Sequence, residues 1–229
     1  MNGLTVFCEG RTERNFCNQL LRRHLFPKQD GILRTILIAH SKHHGRVTRG
    51  GVPGRYEPMR RDILDELKKH RGRDIFFTTL IDLYGLPKNF PGKKTHRRNP
   101  NDPIPYVTAL ERAFGDNIAD HRFIPHLQLH EFETILFADP ESFRVAFNDC
   151  DRAIEELKKL AASFPTIEHI NDSQITAPSK RIISLIPDYA NQKPSAGPDI
   201  AEYTGLPTIR AKCPHFHAWL TRLESLPWS

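Results

Sequence analysis

Acidic side chains follow two apolar segments of this sequence at the points where each segment ends. Glu9 and Glu13 come after the β-rich run 4–8, and Gly10 between them permits a sharp turn. Asp82 comes directly after the most continuous apolar run in the chain, 75–81. Carboxylates are the side chains that hold Mg²⁺ or Mn²⁺ in proteins. This placement therefore predicts a metal site in which Glu9, Glu13 and Asp82 are ligands.

A third group of candidate ligands comprises His130, Glu131 and Glu133. Apolar residues alternate in strand fashion through Leu127 and Leu129, and helical spacing begins immediately afterwards. The acids therefore lie where a third strand is followed by a helix. Together, histidine and carboxylates favour Mg²⁺ or Mn²⁺ over structural Zn²⁺, for which no thiolates are present here. His130 taken alone is more typical of a hydrogen-bonded structural residue than of a ligand.

A simpler interpretation stays open for each of these acids. An acid that follows a strand often forms a turn or favours the N-terminus of a helix, and Thr12 fits the capping position of the next helix. The two interpretations differ in whether the acids converge. The carboxyl edge of the strands is where open α/β sheets bind ligands, so convergence there would favour a functional site.

The hydrophobic pattern around these acids predicts an α/β fold. Strand-like runs at 4–8, 32–39, 75–81 and 123–129 alternate with helical patterns at 14–26, 57–70 and 106–114. We expect a parallel sheet flanked by helices. Helical patterns at 152–163, 181–186, 200–210 and 215–226 predict a helical C-terminal extension. The expected organisation is an α/β metal-binding domain over residues 1–140, with 141–229 packed on the same core.

Two basic segments, 40–55 and 88–105, lack periodicity and contain glycine and proline. In one interpretation they are solvated loops. In the other they neutralise phosphates beside the acids, as a metal-dependent phosphodiester enzyme requires. The residues that we expect to contact nucleic acid are Arg11, Lys93, Lys94, Arg97 and Arg98.

Composition limits the classes of protein to which this chain can belong. With 229 residues, 38% hydrophobic and 26% charged, it has the composition of one globular unit, and its net charge of +6 favours a polyanionic partner. It has no apolar run of membrane-spanning length and no signal-peptide pattern, so we expect a cytoplasmic protein without a membrane partner. Its four scattered cysteines predict reduced, buried thiols. We find no P-loop and no nucleophile elbow.

Several motifs support a family resemblance. They are Glu9-Gly10-Arg11-Thr12-Glu13, Ile81-Asp82-Leu83-Tyr84-Gly85-Leu86-Pro87, Leu129-His130-Glu131-Phe132-Glu133, Pro178-Ser179-Lys180-Arg181-Ile182 and Cys213-Pro214-His215-Phe216. The sequence resembles a bacterial domain-of-unknown-function family, numbered forty-two seventy-six, that is related to the Toprim domain of OLD-type nucleases. The resemblance covers most of the chain.

This resemblance implies a Toprim-like (Rossmann-like) fold and a Mg²⁺- or Mn²⁺-dependent nuclease. Glu9 matches the Toprim glutamate, Glu13 matches the extra acid of OLD-type nucleases, and Asp82 matches the first acid of the Asp-x-Asp motif. Tyr84 stands where the second acid belongs, which is a departure from the pattern. Either Glu131 or Glu133 would restore the missing charge.

The expected catalytic residues are therefore Glu9, Glu13, Asp82 and Glu131, with Lys180 stabilising charge on the phosphate or serving only as an exposed lysine at a helix start. The metal ligands would be the same four acids and Glu133. We expect a nucleic-acid substrate, DNA rather than RNA, and a role in bacterial defence against phage or plasmids. The alternative is a non-catalytic sensor or interaction subunit whose ATPase partner is supplied in trans, since this chain has no ATP-binding motif.

Overall fold

A computed structural model describes residues 3–28, 31–43, 46–51, 54–99, 101–170 and 176–228, with the side chains of 39–48 outside that description. The strands are β1 (Gly3–Cys8), β2 (Ile32–Leu37), β3 (Ala39–His43), β4 (Arg46–Arg49), β5 (Ile75–Asp82), β6 (Phe123–Ile124) and β7 (Leu127–Gln128). In the described residues, five of them form a parallel sheet in the order β2-β1-β5-β6, and β7 also pairs with β5. The expected α/β class with a parallel sheet flanked by helices is confirmed.

The two central strands carry the longest apolar runs because helices cover both of their faces. β1 is buried throughout, and β5 is buried from Phe77 to Ile81. Cys8 is the register partner of Leu80, and Asp82 is the partner of Gln128 in β7. Since these strands are parallel, the residues that follow them share one edge of the sheet.

The segment 40–55 differs from the expected loop. Its first part forms an antiparallel ribbon of β3 and β4, with Lys42 paired to Val47 and His43 to Arg46. Strands this short have only a few positions at which apolar and polar residues could alternate. The many glycine and basic residues of the segment hide that pattern in the sequence.

The helices are α1 (Arg11–Phe16), α2 (Arg22–Leu25), α3 (Tyr56–Lys69), α4 (Ile104–Ile118), α5 (Asp151–Ala162), α6 (Pro178–Leu185), α7 (Tyr189–Thr204), α8 (Leu206–Lys212) and α9 (Pro214–Glu224). A π-helical turn, Cys17–Leu21, joins α1 to α2, so the first helical segment begins at Arg11 instead of residue 14. Single turns of 3₁₀ helix occur at Leu83–Gly85 and Ile167–His169, with longer stretches at Phe132–Ala138 and Pro140–Val145.

The expected helix over 200–210 is wrong. The structure has α7 ending at Thr204 and α8 beginning at Leu206, with Gly205 between them at φ 78°. That left-handed conformation suits glycine and stops the helix. The start of α7 was missed because Pro194 and Pro198, which normally break helices, lie inside it.

The C-terminal helices complete the core of the sheet. Leu4 and Val6 of β1 share one buried cluster with Phe216 and Leu220 of α9, whereas Phe7 faces the cluster on the other side of the sheet. The indole of Trp219 donates to Thr78 Oγ1 at 2.9 Å, which ties α9 to β5. The described helices include none that is long and apolar enough to cross a membrane. All four cysteines are buried and free, as expected.

Candidate functional site

The turn after β1 places Glu9 and Glu13 at the carboxyl edge of the sheet. Gly10 is the N-cap of α1, so Thr12 is not the capping residue that the sequence suggested. The Gly10 N–H donates to Glu13 Oε2 at 2.7 Å, and the Glu13 side chain is buried in the first turn of the helix. A glycine suits this position because a Cβ here would lie only 3.2 Å from Glu13 Oε2.

Asp82 is adjacent to Glu9 because β5 pairs with β1. The Asp82 N–H donates to Glu9 Oε2 at 3.0 Å. The 3₁₀ turn that follows β5 packs closely on the same carboxylate, and a Cβ placed on Gly85 would lie 2.6 Å from Glu9 Oε2. Glu9 is therefore held by backbone on two sides.

Glu131 and Glu133 reach the same edge from the segment after β7. Glu131 Oε2 accepts a hydrogen bond from the Ser179 N–H, in the first turn of α6, at 2.9 Å. Glu133 is buried, and its Oε1 lies 2.9 Å from Lys193 Nζ and 3.3 Å from the Tyr189 hydroxyl. The structure thus brings together all five acids that the sequence singled out.

Burial and mutual repulsion make these carboxyl groups hard to ionise. Burial raises the pKa of Glu9 to about 8, with a further contribution from Glu13. Burial also raises the pKa of Glu13 to about 7, against the opposing effect of its backbone hydrogen bonds. The pKa of Asp82 is raised by burial and by Glu9, and Asp82 Oδ1 is buried with no hydrogen-bond partner in the described part of the chain. A cation would relieve all three effects.

Although the five acids share one edge of the sheet, their oxygens are more widely spaced than the ligand atoms of a compact metal site. Among the described residues, no three of them bring one oxygen each within 4.8 Å of one another. The group that does meet this spacing is a different one, consisting of Glu111, His126 and His215.

His130 is a buried structural residue beside the acids. Its Nε2 lies 2.9 Å from the Glu168 carbonyl oxygen, and its own carbonyl accepts the Tyr84 N–H at 3.2 Å. Its backbone is left-handed, with φ 61°, which turns the chain from β7 into the segment that carries Glu131. Tyr84 packs on the His130 ring with centroids 5.4 Å apart.

The basic residues near this edge differ in how freely they can bind a ligand. Arg11, Lys94 and Arg97 are exposed, as is Lys180 in the first turn of α6. Arg98 lies over the Tyr84 ring at 5.4 Å, and its Nη2 is 3.4 Å from His130 Nδ1.

Lys93 is different from its neighbours. It is partly buried, and its Nζ donates to the Leu86 carbonyl at 2.6 Å. In the earlier basic segment, Arg49 pairs with Asp62 at 2.5 Å, while the side chains of Lys42, His43, His44 and Arg46 lie outside the described residues. Lys93 and Arg49 are therefore occupied by contacts within the protein.

Sequence analysis missed Lys193 and Tyr189, which are the partners of Glu133. Both lie on α7, more than fifty residues from Glu133 along the chain, in a helix whose prolines masked its pattern. No local signal connects them to the acids.

Comparison with known proteins gives a family. No curated protein and no solved structure matches the chain. One family model, described as a domain of unknown function, matches residues 8–224 and so includes every acid named above. The chain therefore belongs to the family known as Domain of unknown function (DUF4276).

Proposed function

We propose that this protein is a Mg²⁺- or Mn²⁺-dependent nuclease that cleaves phosphodiester bonds. The observation that supports this best is the convergence of acids from three separate chain segments at the carboxyl edge of a parallel sheet. We also propose that the fold is of Toprim type, because acids follow two adjacent strands, β1 and β5, as the family resemblance implies. The Asp-x-Asp motif is incomplete at Tyr84, and acids from the segment after β7 replace it.

The chemistry of these residues suits a divalent cation, and their carboxylates must move closer together to coordinate a single ion. Asp82 offers a buried oxygen with no partner in the described chain, and Glu9 accepts the Asp82 N–H. Glu13 and Glu131 each have one oxygen occupied by a backbone N–H. We propose these four as the ligands, with Glu133 contributing less because Lys193 already neutralises it. A bound cation would polarise the scissile phosphate and lower the pKa of an attacking water.

Glu9 has an alternative role, in which it moves a proton instead of binding the cation. In the metal-free protein its pKa of about 8 lets it exchange a proton near neutral pH, as a general acid or base must. Lys180 adjoins Ser179, whose N–H holds Glu131, so the exposed ammonium can stabilise charge on a phosphate at this edge.

The substrate would be nucleic acid, with DNA favoured over RNA. The net charge is +6, and exposed cations follow β1 at Arg11 and β5 at Lys94 and Arg97. Such cations neutralise backbone phosphates without reading sequence. We propose a role in bacterial defence against phage or plasmids, which an adjacent ATPase gene would support.

A cleavage assay tests the proposal. Plasmid, linear duplex and single-stranded DNA would be incubated with the protein in Mn²⁺, Mg²⁺ or EDTA. We expect cleavage with a divalent cation, none in EDTA, and a loss of at least about 100-fold in Asp82→Asn. Asp116→Asn, which removes an exposed acid from α4, is the matched control and should cleave normally. Equal cleavage by Asp82→Asn and wild type would contradict the proposal.

A second candidate is a non-catalytic sensor or interaction subunit that works with an ATPase supplied in trans. Two observations favour it: the acids are more widely spaced than a compact metal cluster, and Glu133 is already paired with Lys193. Thermal unfolding with and without Mn²⁺ separates the candidates, because a metal-binding site gains stability by mass action. Absence of any Mn²⁺ effect, together with absence of cleavage, would favour the subunit.

A further inference from the structure

A second group of polar side chains lies apart from the acids described above and has no role in the proposed reaction. Glu111 is on α4, His126 lies between β6 and β7, and His215 is in the first turn of α9. One ligand atom from each lies within 4.8 Å of the other two, and both histidines are buried. We infer that Glu111, His126 and His215 bind a transition-metal ion of the Zn²⁺ class.

The separations between the polar atoms suit a metal shell. Glu111 Oε1 lies 3.4 Å from His126 Nδ1 and 3.0 Å from His215 Nε2. Ligand atoms placed tetrahedrally about Zn²⁺, each about 2.0–2.1 Å from it, are about 3.3 Å apart. Only small side-chain movements are therefore needed to admit the ion.

A hydrogen-bonded ion pair accounts for His215 Nε2, but it leaves His215 Nδ1 and His126 without a partner in the ranges that the structure describes. Both nitrogens of His126 are buried and meet no hydrogen-bond criterion among the described residues, and Nδ1 lies 3.4 Å from Glu111 Oε1. An imidazole buried in this way is costly unless something binds it. A metal ion at this position would satisfy Nδ1.

The surroundings hold the ligands rigidly. The His126 ring stacks on Trp219 with centroids 4.3 Å apart, and its centroid lies 4.9 Å from that of the His215 ring. Glu111 Oε1 accepts the Leu127 N–H at 2.8 Å, which orients the carboxylate from outside the ligand group. Such outer contacts are typical of metal sites because they fix the direction of each ligand.

Charge and access also fit a divalent ion. The buried carboxylate of Glu168 accepts the His215 and Phe216 N–H groups at 2.8 and 3.0 Å, so two carboxylates, Glu111 and Glu168, lie beside two imidazoles. A surface pocket of about 650 Å³ reaches Glu111, with Thr108 and Arg222 also in its lining. The pocket gives an ion a route from solvent to Glu111.

The ligand types distinguish this site from the acidic one. Two imidazoles and one carboxylate select Zn²⁺ and related ions, whereas clustered carboxylates select Mg²⁺ or Mn²⁺. Bound Zn²⁺ would join α9 to α4 and to the β6–β7 segment. By fixing His215, it would also fix the position of Glu168, whose carboxylate accepts the His215 N–H and whose carbonyl oxygen contacts His130 beside the acidic site.

The test uses the full chain without a histidine tag, stripped with a chelator and then dialysed. Zn²⁺ would be added in the presence of excess Mg²⁺, and bound metal counted by elemental analysis. We expect one Zn²⁺ per chain and a rise in Tm of about 5–10 °C at a free concentration near 100 times Kd. Co²⁺ substitution should give the visible absorption bands of a four- or five-coordinate site.

Variants locate the ion. Glu111→Gln keeps an acceptor for the Leu127 N–H and should weaken Zn²⁺ binding by at least about 10-fold. Asp116→Asn, on the same helix and in the same pocket, is the matched control and should bind normally, as should Asp82→Asn. If Glu111→Gln does not fold, the number of Zn²⁺ ions bound by Asp82→Asn decides whether the ion binds outside the acidic site. Less than one tightly bound Zn²⁺ per chain in wild type and Asp82→Asn, or unchanged binding in a folded Glu111→Gln, would overturn the inference.

Discussion

At the residue scale, Glu9 is the group whose environment departs most from that of an ordinary glutamate. It is held by the Asp82 N–H, lies against Gly85, and is surrounded by other acids that repel its charge. Its carboxyl group therefore releases its proton only at a pH well above its ordinary range. This gives the site a chemical property that can be measured without any substrate.

We predict that Glu9 lowers the stability of the metal-free protein as pH rises. The pKa of Glu9 is about 8 in the folded protein and 4.5 ordinarily, so its contribution to stability is present below pH 4.5 and is lost as pH rises through about 8. Glu9→Gln has no such loss and should become more stable than wild type at pH 8.5, by several kcal/mol, since each pH unit in this window contributes up to about 1.4 kcal/mol. Urea unfolding in EDTA at pH 5 and 8.5 would measure this. A stability difference that does not change with pH would contradict it.

Gly85 provides a second prediction at this scale. A methyl group at position 85 would lie 2.6 Å from Glu9 Oε2, so Gly85→Ala must displace the Glu9 carboxylate. We expect the free energy of unfolding to fall by about 1–3 kcal/mol. The apparent affinity for Mn²⁺, measured from the rise in Tm with Mn²⁺ concentration, should fall by at least about 10-fold. Gly54→Ala is the matched control, because a Cβ there meets nothing within 4 Å. The same Mn²⁺ response in both variants would show that Glu9 is not a ligand.

At the scale of elements, the segment between β5 and α4 determines which of its cations are exposed and which are held by contacts within the protein. Arg98 packs on Tyr84, which packs on His130, so the segment is anchored beside the sheet edge. Lys93 is directed to the Leu86 carbonyl, whereas Lys94 and Arg97 are exposed. The basic residues that look equivalent in sequence are therefore not equivalent in the folded protein.

This difference predicts how nucleic acid binding responds to substitution. Replacing Lys94 and Arg97 together by Gln should weaken DNA binding and reduce the slope of log K against log salt concentration by about 1.8, which is about 0.9 for each phosphate contact. Lys68→Gln with Arg71→Gln removes the same charge at the end of α3, away from the acids, and serves as the control. Fluorescence anisotropy over a salt series would measure both. An equal change in the two double variants would mean that the effect is only one of net charge.

At the scale of the whole molecule, the C-terminal helices are part of the sheet's core. Phe216 and Leu220 pack with Leu4 and Val6, and Trp219 donates to Thr78. α7 supplies Lys193 to Glu133, and α6 supplies the Ser179 N–H to Glu131. Residues 141–229 therefore contribute to both the core and the acidic site.

We predict that residues 1–140 do not fold alone. Without α7 and α9, one face of β1 and β5 would be exposed to water, and the buried Glu133 would lose its cation. The fragment should bind a hydrophobic dye and show no cooperative thermal transition by near-ultraviolet circular dichroism. The full chain, measured in parallel, should unfold cooperatively. A cooperative transition in the fragment would show that the two regions are independent.

Much of the fold was predictable because its signals are local. Apolar runs identified β1, β2 and β5, and helical spacing identified α3, α5 and α9 to within a few residues. The acids were predicted because they lie at or soon after the ends of apolar runs, and parallel pairing brings such positions to one edge. The prediction of Thr12 as the cap of α1 is wrong, because Gly10 is the N-cap and its backbone N–H donates to Glu13.

What the sequence alone determined, then, is the set of strand-ending acids and the class of fold that gathers them. Only the tertiary structure decided that Lys193 pairs with Glu133, that Lys93 is occupied while Lys94 is exposed, and that Glu111, His126 and His215 meet. The physical reason is that hydrophobic periodicity reports which face of an element is buried, whereas ion pairs and ligand groups depend on distances between segments far apart in the chain. Those distances follow from packing and have no counterpart in local spacing.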